Sequence, residues 1–165
     1  MKDLILGVDP GLSGAICFYN PRKNILEYVE NFPLRPVKGS KTNKKEIDLY
    51  NLQKIVAEFA PRTIFAVIEK VNAMPGQGVT SMFRFGQSYG QAQAMVSAFQ
   101  IPTTLSPPAV WKPMLGLSRD KDESRALASK LFPASKDAFA KKKDDGKAEA
   151  ALLAYYGVRT LGRAF

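Results

Sequence analysis

The chain has 165 residues, 45% hydrophobic and 24% charged, with a net charge of +9 and a sequence pI near 9.7. These are the proportions of one globular domain spanning 1–165, long enough to bury a core, and no apolar run reaches the roughly 18 residues of a membrane span. The lack of histidine excludes a Ser-His or Cys-His nucleophile pair and any His base; the single cysteine, Cys17, excludes an internal disulfide or a Cys-based zinc site. Chemistry would have to rest on carboxylates and lysines, and carboxylates alone suit Mg²⁺ or Mn²⁺ rather than Zn²⁺. The basic excess points to a polyanionic partner. Met1-Lys2-Asp3 followed by a short β-like run does not read as a signal peptide, so a cytoplasmic location is expected.

In chain order, residues 3–9, 14–20 and 24–31 read as three meandering strands. Pro10-Gly11 turns the first into the second, and Cys17 falls in the second as a small core residue. Residues 33–46 are rich in Pro and Lys and read as a loop carrying Lys38, Lys41, Lys44 and Lys45. From Asp48, an N-cap, Leu49, Leu52, Ile55, Val56 and Phe59 recur at helical spacing until Pro61. Thr63 to Glu69 is an apolar run closed by an acid, as in a central strand buried on both faces. After a Gly- and Pro-rich loop at 72–80, residues 82–100 repeat Phe85, Tyr89, Ala92, Val96 and Phe99 as a helix. Gly86 and Gly90, four apart, suggest close packing of that helix on the sheet. Residues 102–106 form a short strand and 108–115 a turn of helix. Ser124 to Leu131 reads as a further helix, with a start near Asp120 as the alternative, and Ala148 to Tyr156, starting near Asp144, as the last, closed by Gly157. The order predicts a mixed sheet with helices on its faces.

Four acidic residues at three sites stand out. Asp9 ends the first strand and Glu69 the fourth. If these strands are parallel neighbours, both acids reach one spot beyond their carboxyl ends, where α/β sheets bind ligands. Asp145 and Glu149 share a face of the last helix, and its small residues would let it approach the sheet. Three of them alone also have a structural reading: Asp9 in an Asp-Pro-Gly turn, Asp145 as a helix cap, Glu149 as a solvated charge; that of Glu69 is weaker, because an acid closing an apolar strand is costly to bury without a partner. Together, four converging carboxylates repel one another unless cations neutralise them. Two divalent ions about 4 Å apart would do so, and would also clamp the attacking and leaving oxygens of a phosphodiester displacement. The lysine stretches at 38–45 and at Lys136, Lys141, Lys142 and Lys143 read either as solvated loops or as phosphate contacts; their nearness to the acids favours nucleic acid.

Over nearly its whole length the sequence resembles the RuvC-like Holliday junction resolvases of the RNase H-like superfamily, with the phage-encoded branch the nearest resemblance. The motifs are Gly7-Val8-Asp9-Pro10-Gly11…Gly14, Val67-Ile68-Glu69-Lys70-Val71, Phe85-Gly86-Gln87-Ser88-Tyr89-Gly90, Pro107-Pro108-Ala109-Val110-Trp111-Lys112 and Asp145…Glu149-Ala150. The resemblance implies an RNase H-like mixed five-stranded sheet flanked by helices. It implies two Mg²⁺ (Mn²⁺ substituting) held by Asp9, Glu69, Asp145 and Glu149, with Asp144 an alternative to Asp145. It further implies a homodimer cutting branched DNA symmetrically, no membrane partner, and DNA contacts from Lys112, Lys121 and Arg125. The helix from Phe85 to Phe99 is the candidate dimer surface. Two features depart from the bacterial pattern. The final acids are four apart and end in Glu149. The aromatic expected three residues after the central glutamate is Asn72, which moves a junction wedge to Met74 or Phe83. Other readings are a flap, fork or RNA–DNA hybrid nuclease of the same fold, or a non-catalytic nucleic-acid-binding module. An actin-like ATPase needs two such domains, which 165 residues cannot hold.

Overall fold

The computed structural model describes residues 2–73 and 75–161. Strands β1 (Leu4–Asp9), β2 (Ala15–Asn20) and β3 (Ile25–Asn31) form an antiparallel meander, followed by a short hairpin of β4 (Leu34–Pro36) and β5 (Lys45–Ile47). Then come helix α1 (Leu49–Phe59), strand β6 (Thr63–Glu69), helix α2 (Val79–Ala98) and strand β7 (Thr103–Ser106). Helices α3 (Pro108–Met114), α4 (Lys121–Leu131) and α5 (Asp145–Leu161) follow, up to the last described residue. The main sheet has five strands in the order β3-β2-β1-β6-β7, with β1, β6 and β7 parallel. This is the mixed, helix-flanked sheet that the sequence predicts.

Alternation along the strands builds a core on each face. Leu4, Leu6 and Val8 of β1 join Ile16, Phe18, Ala66 and Ile68 against Leu52 and Val56 of α1 and Ala92 and Val96 of α2. Ile5, Cys17, Tyr19 and Val67 point the other way, to the core built around α5. The fully buried Leu52 and Val56 each contribute about 1.5–3 kcal/mol by removal from water. Asp48 starts α1, its Oδ1 accepting the Asn51 N–H at 3.2 Å.

Helix α5 lies unusually close to β1, and two glycines permit it. A Cβ on Gly7 would sit 2.0 Å from the Ala150 carbonyl oxygen and 2.5 Å from the Ala154 nitrogen. A Cβ on Gly157 would sit 2.8 Å from Ile5 Cγ2 and 3.0 Å from Val67 Cγ2. Gly157 therefore does not close the helix as expected; α5 runs on to Leu161, and the glycine makes room for the sheet. Gly86 and Gly90, expected to pack on the sheet, face outward: a Cβ at either position would meet nothing within 4 Å. The inward face of α2 is Ser88, Ala92 and Val96 instead.

Residues 33–46, expected as a loop, contain the β4–β5 hairpin. Arg35 stands opposite Glu46 and donates to it through Nε at 2.9 Å, while Ile47 anchors the hairpin base in the core. Lys41, Lys44 and Lys45 are exposed on this hairpin, and Arg84 of α2 donates to the Lys45 carbonyl at 3.2 Å. At the amino end of β1, Arg62 forks between Asp3 (2.9 Å) and Glu27 (2.6 Å), and Asn20 donates to the same two acids.

Candidate metal centre

The parallel pairing of β1 with β6 matches Val8 to Ile68, so Asp9 and Glu69 end neighbouring strands together. Since Val8 and Ile68 face the α2 side, the next residues on both strands face α5. That helix delivers Glu149 one turn beyond its amino end. One carboxylate oxygen from each of Asp9, Glu69 and Glu149 lies within 4.8 Å of the others. Glu69 and Glu149 are buried and Asp9 is half-buried.

The electrostatics match the crowding. Burial, then the nearby charges of Glu149 and Glu69, push the Asp9 carboxyl well above the usual carboxylate range. Burial and Glu149 push Glu69 up to about 7, against a hydrogen bond from Trp111 that favours the ionised form. Two lysines provide partial relief. Lys112, with 8% of its surface exposed, brings Nζ to 2.5 Å from Glu149 Oε1. Its Nζ also lies 5.4 Å from the centroid of the Trp111 ring. Lys121 pairs with Asp145, and that interaction holds its ammonium above the usual lysine range.

The two candidate aspartates at the head of α5 have different surroundings. Asp144 is buried; it accepts the Lys141 N–H at 2.9 Å and pairs with Lys147 at 3.2 Å. Burial raises its pKa, but those two partners outweigh burial and leave it below the usual value. Asp145 adds its charge to the field at Asp9, although its oxygens are not in the three-carboxylate group.

Of the lysines and arginine read as DNA contacts, Lys41, Lys44, Lys45, Lys121, Lys142 and Lys143 are exposed. Lys112 is not on the surface but inside the acidic pocket. Arg125 is committed locally, pairing with Asp122 at 2.6 Å and donating to the Phe139 and Ala140 carbonyls at 3.4 and 3.3 Å. Of the two wedge positions, Phe83 is exposed on α2, and Met74 lies outside the described residues. Trp111 has a role that its sequence pattern does not announce: its indole Nε1–H donates to Glu69 Oε2 at 2.9 Å. The clue is its place. β7 pairs Ser106 with Glu69, and Pro107 is then the N-cap residue of α3 beside the strand ends.

Three oxygen-only ligands within reach of one point, mutually repelling and only partly neutralised, fit a hard divalent cation. Among the described residues no helix is long and apolar enough to cross a membrane.

No protein-family model matches the chain. In sequence it is similar to the chloroplastic Holliday junction resolvase MOC1 of Chlamydomonas reinhardtii, 29% identical over 103 residues. That match covers 61% of this chain but only 12% of the relative's length. In structure it is similar to Thermus thermophilus RuvC in complex with a Holliday junction substrate, with TM-score 0.65 and 13% identity over 95% of this chain and 96% of that one. A second T. thermophilus RuvC structure gives TM-score 0.62 and 14% identity over the same shares. By fold the chain is therefore RuvC-like: an RNase H-like sheet with an acidic site at the carboxyl ends of its parallel strands.

Proposed function

We propose that residues 1–165 form one nuclease domain, a divalent-metal-dependent endonuclease that resolves Holliday junctions by paired, symmetric phosphodiester hydrolysis. The observation that carries this is the convergence of Asp9, Glu69 and Glu149 within a RuvC-like fold, in a chain of net charge +9. The similarity to MOC1 and to RuvC bound to a junction supports the branched-DNA substrate. In this reading Asp9, Glu69 and Glu149, with Asp145 as the fourth acid, hold two Mg²⁺, for which Mn²⁺ can substitute. Asp144 is the weaker candidate because the Lys141 N–H and Lys147 already engage its oxygens.

The chemistry such ions supply is Lewis-acid activation of the attacking water and stabilisation of the leaving 3′ oxygen, giving a 5′-phosphate product. The chain's own groups do the rest. The carboxylates fix the geometry at the strand ends. No histidine is available as a base, which leaves the pocket carboxylates as side-chain candidates for that role. Lys112 and Lys121 place positive charge where a phosphate gathers negative charge. Lys41, Lys44 and Lys45 on the β4–β5 hairpin, with Lys142 and Lys143 before α5, bind the flanking backbone phosphates.

Paired cuts in a four-way junction call for a two-fold homodimer. The outward face of α2 supports one: Val79 and Phe83 are exposed there, and Gly86 and Gly90 leave open space above the helix. A cytoplasmic location, in a bacterial host if the gene is phage-borne, accompanies this reading.

The test is cleavage of a mobile four-way junction, a flap, a plain duplex and an RNA–DNA hybrid, each with Mg²⁺ and with chelator. Symmetric nicks across the junction, dependent on metal and on Glu69, are expected. Preference for the flap or hybrid would reassign the substrate. Binding without cleavage of any of the four would make the chain a non-catalytic module.

A further inference from the structure

One hydrogen bond in the acidic pocket lies outside this chemistry. Helix α3 presents two adjacent residues to two different acids: Trp111 donates to Glu69 Oε2 at 2.9 Å, and Lys112 pairs with Glu149 Oε1 at 2.5 Å. The two grips differ in kind. The Lys112 ammonium neutralises a carboxylate, so a divalent ion arriving at Glu149 competes with it for the same charge. An indole N–H is a neutral donor whose nitrogen lone pair is tied up in the ring, so it cannot accept. It occupies one lone pair of Oε2 and leaves the carboxylate its charge and its other acceptor sites. It therefore favours the ionised form that a cation needs and does not compete with the cation.

The indole is also rigidly held. Trp111 is fully buried, in the core cluster that contains Val67, Leu117, Ala148 and Leu152, so packing fixes the direction of its N–H. Glu69 has three rotatable side-chain bonds, and a glutamate at a strand end can turn away from the pocket. From this we infer that Trp111 is a positioning residue. It holds the Glu69 carboxylate in the orientation that shares a cation with Asp9 and Glu149, while Lys112 is the group that metal displaces. The inference rests on the metal-nuclease reading above.

Trp111 is the only tryptophan in the chain, so the indole N–H gives one resolvable resonance in a ¹H–¹⁵N spectrum. Titrating the metal-free protein with Mg²⁺ should move that resonance with the midpoint that calorimetry gives for Mg²⁺ binding. Trp111→Phe keeps a buried ring and removes the donor. It should weaken Mg²⁺ and Mn²⁺ binding about 10–100-fold, the usual cost of losing a group that orients a metal ligand. At saturating metal its kcat should recover most of the loss, and its KM for junction DNA should stay unchanged. If Trp111→Phe does not fold, benzothienylalanine at position 111 has the shape of tryptophan with sulfur in place of N–H and answers the same question.

A folded variant with unchanged metal affinity would overturn the positioning role and leave Trp111 as plain core. A parent protein that binds neither Mg²⁺ nor Mn²⁺ would instead overturn the metal reading itself. The two failures are thus separable by calorimetry on the parent alone.

Discussion

The two ends of β1 handle negative charge in opposite ways. At its amino end, Asp3 and Glu27 share the guanidinium of Arg62, and hydrogen bonds from that fork hold both carboxyls below their usual range. At its carboxyl end, Asp9 and Glu69 crowd Glu149 with one buried ammonium among them, and burial and repulsion raise both. The same strand thus closes a structural ion network at one end and leaves an electrostatic deficit at the other. Such a deficit persists in a fold when something else is meant to fill it.

Mutation should separate the ends most sharply in activity. Asp9→Asn, Glu69→Gln or Glu149→Gln should each reduce Mg²⁺-dependent cleavage by on the order of 10³-fold or more, since each removes several kcal/mol of charge stabilisation. Junction binding, measured by gel shift in chelator, should survive. Arg62→Ala at the other end should lower the melting temperature and leave the cleavage rate of the folded protein alone. Asp145→Asn should behave like the pocket acids and Asp144→Asn like Arg62→Ala; the reverse result would move the fourth acid to Asp144.

Next in size is the hairpin. Neutralising Lys41, Lys44 and Lys45 together should weaken DNA binding and reduce the slope of log affinity against log salt by about 0.9 for each phosphate that is no longer neutralised. An unchanged slope would make the hairpin a bystander.

The pH dependence follows from the raised carboxyls. Between the ordinary glutamate value of 4.5 and about 7, the folded metal-free protein holds more protons at Glu69 than the unfolded chain does. Its stability should therefore fall as pH rises through that window, while apparent Mg²⁺ affinity rises and is still rising at neutrality, where Glu69 is about half protonated. Denaturant melts and calorimetry from about pH 4.5 to 8 would show this, and a flat metal affinity would contradict the raised values. The smallest effect is the most direct: Asp9→Asn should stabilise the metal-free protein by about 0.5–2 kcal/mol and shrink the thermal gain from Mg²⁺. Asp3→Asn should have the opposite sign. Destabilisation by both would mean that Asp9, too, serves a structural hydrogen bond.

The site's acids were legible because strand ends are legible. An apolar run closed by an acid marks both Asp9 and Glu69, and their parallel adjacency needed only the topology to bring them together. Other features were hidden in pairings that one-dimensional patterns do not carry. The β4–β5 hairpin pairs Arg35 and Pro36 with Glu46 and Lys45, residues of poor strand propensity, and depends on a cross-strand ion pair and on Ile47. Gly86 and Gly90 each follow by one residue the apolar series Phe85 and Tyr89, a turn of about 100° that carries them off the packed face. Lys112 reads as a DNA contact in the sequence because a buried lysine is visible only through its partner, Glu149, which lies 37 residues away.

The seating of α5 has a consequence for how this protein can fail. The helix rests backbone to backbone on Gly7, and the same helix carries Glu149 to the strand ends. The depth of the core and the spacing of the carboxylates are therefore one dimension, like the jaws of a caliper. A single methyl group at Gly7 or Gly157 would lift the helix, and the jaws would open at Glu149. Such a variant would keep its secondary structure and still be unable to gather a cation.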